Sequence, residues 1–146
     1  MQALIQRVSQ ASVCIDGQTT ASIGQGLLVL VCAEPDDTPE IEKKLLQKIV
    51  KLRIFSDVDG KMNCSVSDVG GALLIVSQFT LAADTSRGNR PSFTQAANPH
   101  DAKLRYDSFV ALARQTGLEI ATGEFAANMQ IHLVNDGPVT IPMSVR

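Results

Sequence analysis

His132-Leu-Val-Asn-Asp-Gly-Pro-Val-Thr-Ile141 reads as two runs of strand formers parted by Asn135-Asp136-Gly137-Pro138. Asn-Asp-Gly by itself predicts a hairpin corner, but Pro138 removes a backbone donor where a returning strand would use one. The stretch therefore predicts separate strands over 129–134 and 139–145, with an ordinary turn before an edge strand between them. A Gly followed by Pro can also present two main-chain carbonyls outward with no side chain in the way. An X-Pro bond is moreover the only common place for a cis peptide.

Upstream, Ala72-Leu-Leu-Ile-Val-Ser-Gln-Phe79 and Leu27-Leu-Val-Leu-Val-Cys32 are continuous apolar runs, the pattern of strands covered on both faces. Ala3–Ile15 and Gln18–Ile23 read as strands around an Asp16-Gly17 hairpin corner. A short strand follows Arg53, Leu118–Thr122 gives another, and Asp59-Gly60 and Gly70-Gly71 mark turns. Thr38-Pro39 opens a helix whose apolar stripe is Ile41, Leu45, Ile49 and Leu52. Asn98-Pro99 opens a second, with Tyr106, Phe109, Val110 and Ala113 inward and Gly117 ending it. About eight strands and two helices, with hairpin connections and no regular βαβ alternation, predict an α+β fold. Mainly antiparallel sheets would form a barrel-like or two-layer core, with residues 1–146 as a single domain.

Composition narrows the function. A net charge of -2 excludes a broad basic surface for nucleic acid, so any RNA contact would be local. Three cysteines, Cys14, Cys32 and Cys64, stand far apart with no His at metal-ligand spacing. They predict apolar fillers, with neither disulfide nor metal and no cofactor motif. No apolar run approaches membrane-spanning length, and no signal peptide opens the chain, so a cytoplasmic protein away from membranes is expected.

No conventional catalytic arrangement stands in the local sequence, although residues distant along the chain could converge on one. His132 shares its strand face with Gln130 and Val134, and His100 falls in the first turn of a helix. Ser77-Gln-Phe-Thr80 puts two hydroxyls and an amide where a hydrophobic strand emerges, a rigid platform for a site. Strand alternation would group Ser77, Phe79 and Leu81 on one face and Gln78 with Thr80 on the other. The loop 85–93 carries Arg87 and Arg90, which suit a phosphate or simply face solvent.

Ser77-Gln-Phe-Thr-Leu-Ala-Ala-Asp84 together with Asn135-Asp-Gly-Pro-Val-Thr140 resembles the motif pair of the D-aminoacyl-tRNA deacylase family. The likeness runs along the chain through Leu4–Val13, Arg53–Asp57, Gly60–Asn63, Arg90–Phe93, Phe125 and Met129. Cys32-Ala33, Glu124 and Asn128 depart from common family residues, which bears on phosphate contact at Glu124. The resemblance implies an enzyme that removes D-amino acids, or glycine mischarged on a non-cognate tRNA, from the tRNA 3' end. It further implies a homodimer in which a cis Gly137-Pro138 step enters the partner's pocket, holds the substrate amino group and shuts out L side chains. Ser77, Gln78, Phe79 and Thr80 would then face the ester and the terminal adenosine, with Met129 and Phe125 nearby.

Both motifs are poor in titratable groups. That favours a pocket in which backbone N–H groups stabilise the oxyanion and water attacks, Thr80 orienting groups without forming an acyl-enzyme. A binding module on RNA, or a replication-associated protein with a vestigial pocket, is the rival expectation.

Overall fold

A computed structural model describes all residues from Met1 to Arg146. Its elements in chain order are β1 (Gln2–Ile15), β2 (Gln18–Ile23), β3 (Gly26–Cys32), α1 (Pro39–Val50), β4 (Phe55–Ser56) and β5 (Met62–Cys64). They are followed by β6 (Ala72–Ser77), a 3-10 turn over Phe79–Ala82, α2 (Pro99–Arg114), β7 (Glu119–Thr122) and β8 (Gln130–Ser144).

Both helices begin as local chemistry predicts. Thr38 Oγ1 accepts from the Ile41 N–H, Asn98 Oδ1 accepts from the Asp101 N–H, and a proline occupies the first turn of each helix. The inner stripes are buried: Leu45 and Ile49 on α1, and Tyr106, Phe109, Val110 and Ala113 on α2. Glu42 is buried as well, between the helices, where Arg105 Nη1 (2.9 Å) and Ser108 Oγ (2.5 Å) donate to its carboxylate.

Strand β1 organises the sheet. One edge takes β2 along residues 11–15 and β3 along residues 2–8, and the other takes β8 from Gln2 to Cys14, all antiparallel. Asp16 and Gly17, both at positive φ, make the predicted corner between β1 and β2. β3 then pairs parallel with β6, and β6 parallel with β7. The expected absence of regular βαβ alternation is therefore corrected for this half of the sheet. Helices α1 and α2 lie in the β3-to-β6 and β6-to-β7 crossovers, because parallel neighbours cannot be joined by a tight turn.

The continuous apolar runs are covered twice, as expected. Leu27, Val29, Val31, Leu73 and Ile75 belong to a core with α1 and α2. Leu28, Leu74 and Val76 join Val8, Ala11, Val13 and Ile23 in a second core on the opposite face. Across a register shift between Val8 and Gln10, the odd-numbered residues of β1 pass from the first core (Ala3, Ile5) to the second (Ala11, Val13), which Val8 also joins. That shift lets the sheet curl into a nearly closed, barrel-like form. The α+β architecture stands, and no helix is long and apolar enough to cross a membrane.

The separate strands expected over 129–134 and 139–145 are one strand. β8 follows β1 throughout, with Asn135 opposite Val8 and Thr140 opposite Gln6, so residues 136–139 bulge out against Arg7 alone. The chain does not turn back at Gly-Pro because both flanks find partners on the same edge of β1.

Candidate active site

Strand β6 ends at Ser77 at the rim of the sheet, and the chain then tightens into the Phe79–Ala82 turn. The alternation expected across residues 77–81 is broken there, since a 3-10 turn replaces the two-residue strand period. Gln78 and Thr80 nevertheless meet: the Gln78 Nε2 amide donates to Thr80 Oγ1. The Gln78 N–H is anchored on the Val31 carbonyl at 2.7 Å, tying the rim to β3.

Ser77, Gln78 and Phe79 open onto a cavity of about 690 Å³. Phe125, Met129 and Ile131 face them across it, and Cys32, Phe93 and residues 96–99 complete the wall. A volume of this size suits a small organic group held mainly by apolar contact. Phe79 and Phe93 stand edge to face, centroids 5.1 Å apart, both partly exposed and so available to a flat ring. Tyr106 braces the opposite side from within the core. Its hydroxyl donates to the carbonyls of Ile75 (2.9 Å) and Gly123 (3.2 Å), and burial pushes the phenol up to about 12.

No carboxylate, histidine, lysine or arginine lines this cavity; Cys32 alone is ionisable. Burial, only partly offset by a hydrogen bond from Ala82, raises its thiol from 9.0 to about 11 and keeps it neutral. His132 and His100 are exposed elsewhere, as are Arg87 and Arg90. No group of three or more His, Cys, Asp or Glu residues gathers as a metal site.

Gly137 and Pro138, joined by a cis peptide, do not line this chain's own cavity. They sit exposed at the tip of the β8 bulge. Gly137 has φ +143, where an added Cβ would lie 2.8 Å from the Val139 nitrogen. Two side chains hold the base of the bulge. Asn135 Oδ1 accepts from the Val139 N–H (3.0 Å) while its amide donates to Thr140 Oγ1 (3.1 Å). Beneath it Arg7, only 8% exposed, donates to the Asp136 carbonyl (2.8 Å) and to the Ile54 carbonyl (2.5 Å). Sequence reasoning missed Arg7 and Tyr106 as supports. Arg7 occupies an inward position of a strand that otherwise buries Ala3 and Ile5, and a charged residue at such a position was the available signal.

Comparison with known proteins agrees with the motif pair. Residues 4–144 match the family model described as D-Tyr-tRNA(Tyr) deacylase. The chain is 61% identical over 145 residues to the D-aminoacyl-tRNA deacylase of Variovorax paradoxus (strain S110), covering 99% of both chains. Among solved structures it is similar to a c-Myc DNA unwinding element binding protein, with TM-score 0.93, 40% identity, and 99% and 98% of the two chains covered. A probable eukaryotic D-amino acid tRNA deacylase shares the fold at TM-score 0.87 and 16% identity, with 97% of each chain covered.

Proposed function

The chain belongs to the D-Tyr-tRNA(Tyr) deacylase family, and from that membership we propose that it hydrolyses the ester joining a D-amino acid to the 3' end of tRNA. Glycine carried by a non-cognate tRNA is a second substrate, because an achiral amino acid offers no side chain to reject. The reaction is a proofreading step and belongs in the cytoplasm, where charged tRNA is found.

The observation that carries the reading is the cavity itself, which unites Ser77, Gln78 and Phe79 with Phe125 and Met129 yet holds no charged side chain. Such a wall suits an adenosine and a labile ester better than chemistry driven by a general base. The Phe79–Phe93 pair and Met129 take the adenine, and main-chain N–H groups near Phe79 and Thr80 stabilise the developing oxyanion. Water attacks, helped by the neighbouring ribose hydroxyl. The Thr80 hydroxyl accepts from Gln78, has no base beside it, and orients groups without becoming a nucleophile.

Selection falls to Gly137 and Pro138 of a second copy. They stand exposed on a pinned bulge, outside their own cavity, which supports delivery into the cavity of a homodimeric partner. Their carbonyls hold the substrate ammonium and fill the space an L side chain needs. The test compares D-tyrosyl-, L-tyrosyl- and glycyl-tRNA as substrates while light scattering reports the mass in solution. Hydrolysis of the D- and glycyl-esters alone by a dimer is the expected result. Equal cleavage of both stereoisomers, or full selectivity in a monomer, refutes the cross-subunit reading, and absence of any turnover leaves a nucleic-acid-binding module.

A further inference from the structure

The protein carries a net charge of -2, yet its cations are unevenly spread. Four of its 13 Lys and Arg residues, Lys44, Lys48, Lys51 and Arg53, line one groove with Gln47, Leu52 and Met143 and no carboxylate. Spacings of four and three put Lys44 and Lys48 of α1, and Lys51 at its C-cap, in one row that flanks the buried stripe of Leu45 and Ile49. All three are exposed, and neither they nor Arg53 forms an ion pair. Arg53 is instead aimed by neutral groups, the carbonyl and side-chain oxygens of Asn63 on β5. Asp68 feels the Arg53 charge but directs its carboxylate to the Ser65 N–H and hydroxyl.

Complementing the helix dipole accounts for Lys48 in the last turn. It does not account for Lys44, a turn earlier, or for Arg53 beyond the helix on the far side of the groove. Position in the fold supplies the missing reason. Arg53 adjoins Ile54, whose carbonyl takes Arg7 Nη1, and the same guanidinium holds the Asp136 carbonyl at the base of the Gly137-Pro138 bulge. The groove therefore lies two hydrogen bonds from the segment that reaches the substrate.

We propose that the Lys44/Lys48/Lys51/Arg53 groove is a phosphate-backbone site that grips the acceptor arm of the tRNA. The proposal rests on the deacylase reading above. A groove fixed to the Gly-Pro bulge of one protomer borders the mouth of the partner's cavity, so the tRNA is held by one subunit and cleaved in the other. Local lysines without competing carboxylates give affinity through phosphate neutralisation and counterion release, while the acidic remainder of the surface limits unspecific binding.

The experiment compares kcat/KM for D-tyrosyl-tRNA with that for the D-tyrosyl ester of adenosine, which has no acceptor arm. In K44Q/K48Q/K51Q the tRNA-to-adenosine ratio falls by about tenfold or more, and the slope of log(kcat/KM) against log salt for tRNA shrinks by roughly 2 to 3. Glutamine keeps the helix propensity, and circular dichroism confirms the fold. An unchanged ratio overturns the proposal. So does an equal fall in K103Q/R114Q, which removes charge from α2 and would show that only the global field matters. Should the wild type cleave neither ester, the deacylase reading fails instead. Filter binding of uncharged tRNA to wild type and triple variant then judges the groove alone, equal Kd values overturning it and a tenfold weaker variant supporting it.

Discussion

Two breaks in regular strand structure, at the end of β6 and in the middle of β8, carry the two motifs, and they are held in opposite ways. Ser77 follows Leu73–Val76, each at most 1% exposed, so the rim inherits its rigidity from apolar packing on both faces. Gly137 and Pro138 project from an edge strand into solvent and rest on polar anchors, chiefly one buried guanidinium and one asparagine. A cavity wall can be built from a hydrophobic core. An exposed peptide has no core to pack against, and only directional bonds can hold it in one orientation.

The sharpest attack on this contrast is Gly137→Ala. The new Cβ meets Val139 and Arg7 at a φ that alanine avoids, and cleavage of the D-ester falls roughly 100-fold, on the scale of one lost oriented polar contact. The melting transition also moves, by an amount matching about 1–3 kcal/mol of local strain, but the protein stays folded at assay temperature. Parallel loss of stability and of all activity would make the bulge merely structural. Arg7→Met follows. It keeps the apolar stem but strips the Ile54 and Asp136 carbonyls of their donor, costing about 2–4 kcal/mol in urea unfolding and loosening D-over-L selectivity. Selectivity preserved at lower stability would mean the bulge needs no guanidinium.

The cavity side should yield smaller effects. Tyr106→Phe leaves the Ile75 and Gly123 carbonyls short of one donor, about 1 kcal/mol, and lowers Tm by roughly 2–4 °C with selectivity intact. Thr80→Ala is expected to keep kcat within about tenfold, since orientation is all it supplies; an acyl-Thr80 adduct caught by mass spectrometry would reverse that reading. Smallest is the effect of pH. Cys32 stays a neutral thiol up to about 11, so its protonation leaves no inflection in the rate between pH 6 and pH 9. Its contribution to folding weakens only as pH rises above the ordinary 9.0, because the folded state disfavours the thiolate. An inflection abolished by Cys32→Ala would expose a role for the thiol.

Much of this was legible in the chain. Thr38-Pro39 and Asn98-Pro99 set the helix starts, and the stripes through Ile49 and Phe109 identified the buried faces, because caps and periodicity act within a few residues. The runs 27–32 and 72–77 were recognisable as strands covered on both faces for the same reason. The continuity of β8 was not. Asn-Asp-Gly-Pro carries the local signature of a turn, and only pairing with residues 2–14, more than a hundred positions upstream, keeps both flanks in one strand. Nor was the burial of Glu42, a first-turn acid of α1, because its partners Arg105 and Ser108 lie on α2.

Residue type and near spacing were enough for the α+β class, the helix starts, the two motifs and the poverty of ionisable groups around them. Tertiary structure alone decided that one motif opens a cavity and the other leaves it, and that Arg7 and Tyr106 support them. Which strands pair, in what register and with which polar group beneath them follows from contacts between distant segments, whose joint free energy no local window contains.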